Sequence, residues 1–391
     1  MRTSHALLLA VLSIGILAGG CDTGKNKKEA YKQWNSTRAA VQASLATERY
    51  KRGNMDEARK AIDDAIKLAP DNAAYRVISA RIYIERNQLE MADRELAVGR
   101  TVNPRNAEID YLSGVIYQRW ERPQLALDYY TQASEKSPAE LPFLMARAEM
   151  LVLLNRLNDA VSLLESKLTY YEYSGPLRDM LGGFYMQQNL IPKAIETIHQ
   201  ATILSPEDLI IREHLSRAYF RGTKYRECLD QIDLLVKNEQ YAKRADLLLT
   251  KGECLIQLEQ WRDARFALEA SLEIFPASMP ALISLAKVSL KTSDLDRAEL
   301  CVRKAISIAP DDARVHLTQG YVRLRQQRWE DALTSFRKAN TLDPKDPVAL
   351  CLMGLVYEKT GRHDQAMQYY GQAIQIQPDS ALASKLMSKA K

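Results

Sequence analysis

The sequence has few of the residues on which catalytic, metal-binding and disulfide-rich proteins depend. Its 391 residues include only five cysteines and five histidines. No two cysteines form a Cys-x-x-Cys pair, and no histidine lies in a His-Glu-x-x-His segment or beside a second ligand at metal spacing. Glycine-rich phosphate-binding loops and Gly-x-Ser-x-Gly turns are absent as well. We therefore expect no metal, no cofactor and no enzymatic activity.

The chain also lacks a strong charge of either sign. Its formal net charge is +5, and 26% of its residues are charged, close to the share in an average soluble protein. Such a small excess does not favour binding to nucleic acid. The apolar run at 6–18 has 13 residues. It is too short to span a bilayer, which needs about 20.

That apolar run has the layout of a secretory signal, since Arg2 precedes it and small residues follow it. Residues 17–21, Leu-Ala-Gly-Gly-Cys, resemble a bacterial lipobox. The resemblance implies that residues 1–20 are removed and that Cys21 is diacylated on sulfur and acylated on nitrogen. Two or more acyl chains give a stable membrane anchor. A plain cleaved signal and an uncut anchor are the alternatives.

The residues after Cys21 bear on the membrane to which the protein is anchored. Asp22 resembles an inner-membrane retention signal of enterobacterial-type sorting, a rule that depends on lineage. We therefore expect an extracytoplasmic, periplasmic location in a bacterial cell envelope, with the inner membrane slightly favoured. Residues 21–38 are predicted to be a lipidated tether that runs into the first helix. Its lysines are either solvated or in weak contact with anionic headgroups.

The rest of the chain repeats one pattern, with eight intervals of 34 residues and one of 36. When the first residue of a copy is place 1, place 8 is always Ala, Gly or Ser, and place 20 is Ala or Cys. Small residues at these places allow two helices to pack closely. Place 32 is proline, which stops a helix, in eight of ten copies. The copies begin at Ala39, Ala73, Ala107, Leu141, Gly175, Leu209, Ala245, Met279, Ala313 and Pro347.

This pattern resembles the tetratricopeptide repeat, a helix–turn–helix unit of 34 residues. The resemblance implies an all-α, right-handed solenoid of about ten repeats over residues 39–380, with residues 381–391 as a capping helix. Two joints depart from the pattern: residues 170–176, and the two-residue insertion near 238–244. Each joint is either a bend in the solenoid or the result of ordinary sequence drift.

The resemblance also implies a concave groove lined by places 2, 5, 9 and 12, with place 13 at its rim. Aromatic, methionine and arginine side chains are enriched at protein interfaces. The candidate partner-binding residues of these types are Arg81, Tyr111, Arg119, Met145, Met186, Arg217, Phe220, Arg221, Tyr321 and Arg325.

The sequence therefore predicts a lipid-anchored scaffold that binds a partner protein or peptide in its groove. Similar proteins serve envelope assembly, including pilus and secretion systems, and this pathway is expected by analogy alone. The alternatives are a subunit or regulator of an envelope enzyme with an unrecognised ligand site, and a self-assembling structural oligomer.

Cysteines at small or apolar places of the repeats are expected to be buried thiols that pack as small hydrophobic residues. Cys228 and Cys254 lie in adjacent copies. A disulfide between these two is the alternative in an oxidising compartment.

Overall fold

The computed structural model describes residues 23–390, and this part of the chain is built from α-helices and short turns, without β-strands. The helices are α1 Thr23–Lys51, α2 Met55–Leu68, α3 Ala73–Glu85, α4 Leu89–Val102, α5 Ala107–Arg119, α6 Pro123–Lys136, α7 Leu141–Leu153, α8 Leu157–Glu165, α9 Gly175–Gln187, α10 Ile191–Leu204, α11 Leu209–Arg221, α12 Tyr225–Leu235, α13 Glu239–Ala242, α14 Ala245–Gln257, α15 Trp261–Ile274, α16 Met279–Lys291, α17 Leu295–Ile308, α18 Ala313–Arg325, α19 Trp329–Leu342, α20 Val348–Lys359, α21 His363–Ile376 and α22 Ala381–Ala390.

The expected signal peptide (1–20) and the lipidation residue Cys21 lie outside the described residues. The tether that follows them is helical from Thr23 onward, because α1 extends over 29 residues and continues into the first repeat. Among the helices of residues 23–390, none has both the length and the apolar character needed to cross a bilayer.

The described residues form two compact units, 23–163 and 164–390. Within each unit a helix packs against its neighbours in sequence, and most first helices of the repeats also contact the first helix of the next repeat, as α3 contacts α5 and α16 contacts α18. Contacts restricted to neighbouring repeats define a solenoid. The fold is an all-α solenoid.

Polar residues at place 34 set the start of several first helices. The side chain of Asn72 accepts a hydrogen bond from the backbone N–H of Ala74 at 3.0 Å, and Asp312 accepts one from Arg314 at 2.8 Å. Asn106, Ser174, Asp208 and Ser278 cap α5, α9, α11 and α16 in the same way. Each cap satisfies a backbone donor that the first turn leaves unpaired.

The second helices differ at the two joints where the repeat pattern departs. Most second helices have 14 residues, as in α2 and α19, whereas α8 has nine and α12 has eleven. The short helix α13 occupies the region of the two-residue insertion. The chain accommodates the insertion in this turn, so that α14 still begins at Ala245, the predicted first residue of the next copy.

Every repeat turns between its two helices through one residue in the left-handed region. This residue lies at place 15, and it is glycine only at Gly53 and Gly361. The other eight, with φ between 56° and 61°, are Asn87, Glu121, Asn155, Asn189, Thr223, Glu259, Ser293 and Gln327. Left-handed φ is costly for most side chains and worst for β-branched ones, so Thr223 is the most strained of the eight.

Replacing the strained threonine should stabilise the fold. We expect Thr223→Gly to raise the free energy of unfolding by about 1 kcal/mol, because glycine adopts a positive φ without steric cost. Urea denaturation followed by far-UV circular dichroism measures the change. The matched control is Gly361→Thr in the same unit. A Cβ there meets no atom within 4 Å. This variant should lose a similar amount, and equal stability of all three proteins would contradict the assignment of strain.

The core of each repeat is formed by a small residue at place 8 and a large one at place 24. A Cβ added to Gly354 would lie 2.5 Å from Cε1 of Tyr370, and one added to Gly114 would lie 2.5 Å from Cε1 of Tyr130. All three aromatic residues at place 24 lie opposite a glycine, the third pair being Gly320 and Phe336. The residues at place 20 are small and fully buried, as predicted. The side chain that a larger residue at place 8 would meet first is the one at place 24.

The predicted capping helix α22 covers the last repeat. Ala383 is fully buried, and Leu386 and Met387 pack against the core around Tyr370. Leu382 is 42% exposed. Ala383, Leu386 and Met387 therefore form the covering face.

Candidate functional site

Four first helices of the second unit, α14, α16, α18 and α20, line an open groove of about 460 Å³. Successive first helices lie side by side in a solenoid, so residues at the same places of consecutive repeats form rows along one surface. Places 5 and 9 of these helices supply Ile283, Leu317, Glu253, Lys287 and Tyr321 to the groove.

The floor of this groove is apolar. Ile283 and Leu290 are buried, and Leu317 and Leu352 are half-buried beside them. Tyr321 stands above this floor with 37% of its surface exposed. An apolar surface with an accessible aromatic ring is the kind of surface that a partner's side chain covers favourably.

One wall of the groove carries a carboxylate in an unfavourable environment. The Ser284 hydroxyl donates a hydrogen bond to Oε1 of Glu253 at 3.4 Å. Burial raises the pKa of Glu253, and the Ser284 hydrogen bond and the nearby Lys287 ammonium only partly oppose this shift. A partly desolvated carboxylate in an apolar groove is a feature of binding sites, because it orients a polar group of the ligand.

A fixed cation lies at another part of the groove. Nη2 of Arg314 lies 2.6 Å from Oδ2 of Asp312, the residue that caps α18. The Arg314 side chain is nevertheless 66% exposed. The hydrogen bond from Arg314 also holds the pKa of Asp312 below its usual range. The guanidinium is therefore positioned by the helix start and remains accessible to a ligand.

Family models agree with the repeat pattern. Models described as "Tetratricopeptide repeat" match residues 347–380, 255–320 and 44–92, and one described as "TPR repeat" matches residues 320–361. This chain is a tetratricopeptide-repeat protein.

Solved structures similar to this tetratricopeptide-repeat protein are distant in sequence. The Cut9–Hcn1 hetero-tetramer of APC/C matches with a TM-score of 0.48 and 14% identity over 90% of this chain and 76% of that one. Yeast Tom70 matches with a TM-score of 0.46 and 13% identity over 90% of this chain and 88% of that one. MamA from Desulfovibrio magneticus RS-1 matches with a TM-score of 0.40 and 18% identity over 45% of this chain and 98% of that one.

Three of the ten residues predicted for the groove connect consecutive repeats. Arg119 donates a hydrogen bond to the carbonyl of Ile84 at 2.7 Å. Arg221 bonds the carbonyl of Met186 at 3.1 Å, and Arg325 bonds that of Leu290 at 3.3 Å. Each arginine at place 13 thus binds a carbonyl at place 12 of the preceding first helix. A cation is favourable there because the last turn exposes carbonyls at the negative end of the helix dipole.

Other predicted residues are engaged in contacts within their own unit. Arg81 forms an ion pair with Glu108. The ring of Tyr111 stacks on that of Phe143, with the ring centroids 4.7 Å apart. Arg217 pairs with Glu213.

The remaining predicted residues differ in exposure. Met145 is half-buried, and Met186 and Phe220 pack against the core around Ile198. Tyr321 is the one of the ten that lines the groove of α14, α16, α18 and α20.

Sequence reasoning missed Glu253, Ile283, Lys287 and Leu317, although all four occupy the predicted groove places. The choice by residue type passed over them because aliphatic residues and single charges do not stand out in a repeat sequence. A search for consecutive repeats with apolar residues at place 5 would have indicated Ile283 and Leu317.

The cysteines of residues 23–390 are four free, buried thiols. Cys228 and Cys254 are both fully buried, and a hydrogen bond between them, together with burial, raises the pKa of Cys254. They pack as small core residues and form no disulfide in this structure. Within the same residues, no group of three or more His, Cys, Asp or Glu side chains is arranged to hold a metal ion.

Proposed function

We propose that this protein is a non-enzymatic scaffold that binds a partner protein or peptide in the groove of α14, α16, α18 and α20. The observation that carries the proposal is the accessible ring of Tyr321 above a floor of aliphatic side chains. Aromatic anchors beside apolar pockets dominate the energetics of many protein interfaces.

The groove favours a single segment of the partner, either extended or helical. An apolar side chain of that segment would cover Ile283, Leu317 and Leu352, and a ring or methyl group would pack on Tyr321. The Glu253 carboxylate and the Arg314 guanidinium carry opposite charges, and both are available to orient polar groups of the segment. A mixture of an apolar floor and a few oriented charges is typical of peptide-binding grooves.

The same proposal places the scaffold at a membrane of the bacterial cell envelope, on its extracytoplasmic face. The support is the sequence of residues 1–21, in which an apolar run precedes the lipobox-like segment and Cys21. Acyl chains on Cys21 would hold the protein at the bilayer, and Asp22 favours the inner membrane. Assembly of envelope structures such as pili or secretion systems is the role we propose for the bound partner.

Photo-crosslinking tests the groove. We expect a benzoylphenylalanine at position 321 to capture a discrete partner in native membranes, because the Tyr321 side chain would lie against that partner. The matched control carries the same group at Lys338 on a second helix, whose side chain is 50% exposed. Mass spectrometry identifies the product, and the control should not yield it.

The captured partner then permits a measurement of affinity. Tyr321→Ala should weaken binding roughly 30-fold, the effect of losing a contact worth about 2 kcal/mol. Since Tyr321 is exposed, the fold should lose little stability. Phe220→Ala is unsuitable for this purpose because Phe220 packs against the core. Equal capture from positions 321 and 338, or unchanged affinity of Tyr321→Ala, would show that the partner binds another surface.

A further inference from the structure

One side of α1 presents an exposed stripe of aromatic and basic residues. We call Lys27, Tyr31, Trp34, Arg38 and Val41 the α1 stripe. Their spacing of four, three, four and three residues places them within an arc of roughly 80° on a helix. Tyr31 is 64% exposed, Trp34 54% and Val41 62%. A row of large apolar side chains with this much exposure is unusual and indicates a surface that binds another molecule or a membrane.

The α1 stripe lies away from the face by which α1 joins the fold. Ala39, Ala43 and Ala46 are buried residues of α1 and pack in the first core. By helical geometry they lie about 130° around the helix from the stripe. No other described helix covers Tyr31, Trp34 or Val41, in agreement with their exposure.

The aromatic residues of the stripe are combined with cations. The guanidinium of Arg38 lies over the ring of Trp34, 4.5 Å from its centroid. The rings of Tyr31 and Trp34 are 6.0 Å apart. An amphipathic ring beside a long cationic side chain is the combination found at the interface between water and a bilayer, where the rings enter the headgroup layer and the cations meet phosphates.

The net charge of the chain is concentrated in the same segment. Residues 23–38 contain five cations, the lysines at 25, 27, 28 and 32 and Arg38, against the single carboxylate of Glu29. Their net charge of +4 compares with +5 for all 391 residues. This segment would therefore be attracted to an anionic surface, whereas the remainder of the chain is close to neutral.

We propose that the α1 stripe docks on an anionic lipid surface, with Tyr31 and Trp34 in the headgroup layer and Lys27 and Arg38 on lipid phosphates. The proposal rests on the membrane tether of the proposed function, because a lipid on Cys21 would hold the start of α1 at the bilayer. Anionic lipid fits the stripe better than a second copy of this chain, since two such segments would bring like charges together. Docking would orient the first helix on the membrane rather than leave it to rotate about a flexible lipid anchor.

Quenching of Trp34 fluorescence by brominated lipids tests the proposal. The full-length protein is expressed in a bacterial host, purified from its membranes and reconstituted into vesicles of brominated phosphatidylcholine, with or without phosphatidylglycerol. The chain has four tryptophans, so the Trp34→Phe variant defines the signal of Trp34. We expect quenching of Trp34 only in vesicles with phosphatidylglycerol, and its loss at high salt, because ions screen the attraction.

Charge reversal supplies the matched comparison. Glutamate at Lys27 and Arg38 should lower the ratio of docked to free α1 by roughly 25-fold or more, at roughly fivefold for each cation removed. The same change at Lys60 and Lys67 alters the net charge equally but leaves the stripe intact, and should preserve quenching. Equal quenching in both kinds of vesicle, or equal loss in both double variants, overturns the proposal. The shielding of Trp34 is also measured without vesicles at increasing protein concentration. If shielding rises with concentration, the stripe mediates self-association, and the lipid-docking proposal is overturned.

This experiment distinguishes the loss of the lipid anchor from the loss of docking by the α1 stripe. Retention on pure phosphatidylcholine vesicles reports the acyl anchor, and Cys21→Ser should abolish it. Quenching that depends on phosphatidylglycerol reports the stripe, and at high vesicle concentration it should persist in Cys21→Ser. Retention without that quenching would overturn docking of the stripe while leaving the anchor intact.

Discussion

Gly320→Ala should lower the free energy of unfolding of the second unit by about 2 kcal/mol. The new methyl group would lie 2.5 Å from Cδ1 of Phe336, whose ring is fully buried and has little room to move. Overpacking of this kind costs about 1–3 kcal/mol, and more in rigid sites. Alanine gains roughly 1 kcal/mol over glycine inside a helix, so the steric term must exceed that gain. Urea denaturation monitored by circular dichroism gives the value.

Two further variants separate the steric clash from helix propensity. Gly371 lies in helix α21 of the same unit, and a Cβ there meets no atom within 4 Å. Gly371→Ala should therefore stabilise the protein by up to about 1 kcal/mol. Phe336→Leu should rescue Gly320→Ala, because the pair then resembles Ala80 with Leu96 in the second repeat. Additive effects of the two substitutions would show that places 8 and 24 are not sterically coupled.

Lys136→Ile should lower the free energy of unfolding of the first unit by about 3 kcal/mol, because it leaves a buried carboxylate without its main partner. Asp110 is fully buried, with Nζ of Lys136 at 2.5 Å from Oδ2 and Nη2 of Arg100 at 3.4 Å from Oδ1. After the substitution only the longer contact to Arg100 remains. Thermal and urea denaturation measure the loss.

Another repeat of the same chain shows which apolar residues can replace the buried ion pair. The eighth repeat has Leu282 and Ile308 at the places of Asp110 and Lys136. The double variant Asp110→Leu with Lys136→Ile should be within about 1 kcal/mol of the parent or more stable, since apolar replacement of a whole buried pair removes its desolvation cost. The control Lys67→Ile breaks an ion pair with Asp64 whose side chains are 74% and 58% exposed. It should change stability by less than about 0.5 kcal/mol. A double variant as unstable as Lys136→Ile would show that this pair specifies the packing of the third repeat.

The repeat was predictable from the sequence because its signal is summed over ten copies. Places 8, 20 and 32 impose local steric demands that recur at 34-residue intervals, so a single divergent residue such as Cys228 does not hide the pattern. Place 30 follows an apolar pattern in most copies. Lys136 departs from it, and only the position of Asp110 in space explains how the lysine is accommodated.

The candidate site was harder to predict because accessibility depends on neighbours in other repeats. Arg119, Arg221 and Arg325 have the residue type of interface anchors, but each guanidinium binds a backbone carbonyl 35 residues earlier in the chain. Met186 and Phe220 likewise contribute to the core. Residue type alone does not distinguish an exposed arginine from one that joins two repeats.

The sequence by itself determined the class of fold, the repeat period and the need for small residues between paired helices, because these follow from local sterics repeated along the chain. The tertiary structure decided which side chain fills the space beside each glycine, which arginines connect repeats, and that Tyr321 stands over an apolar floor. It also decided that Tyr31 and Trp34 lie on the side of α1 that no described helix covers. These features depend on residues from different repeats meeting in space, and burial is a property of that assembly and not of any one segment.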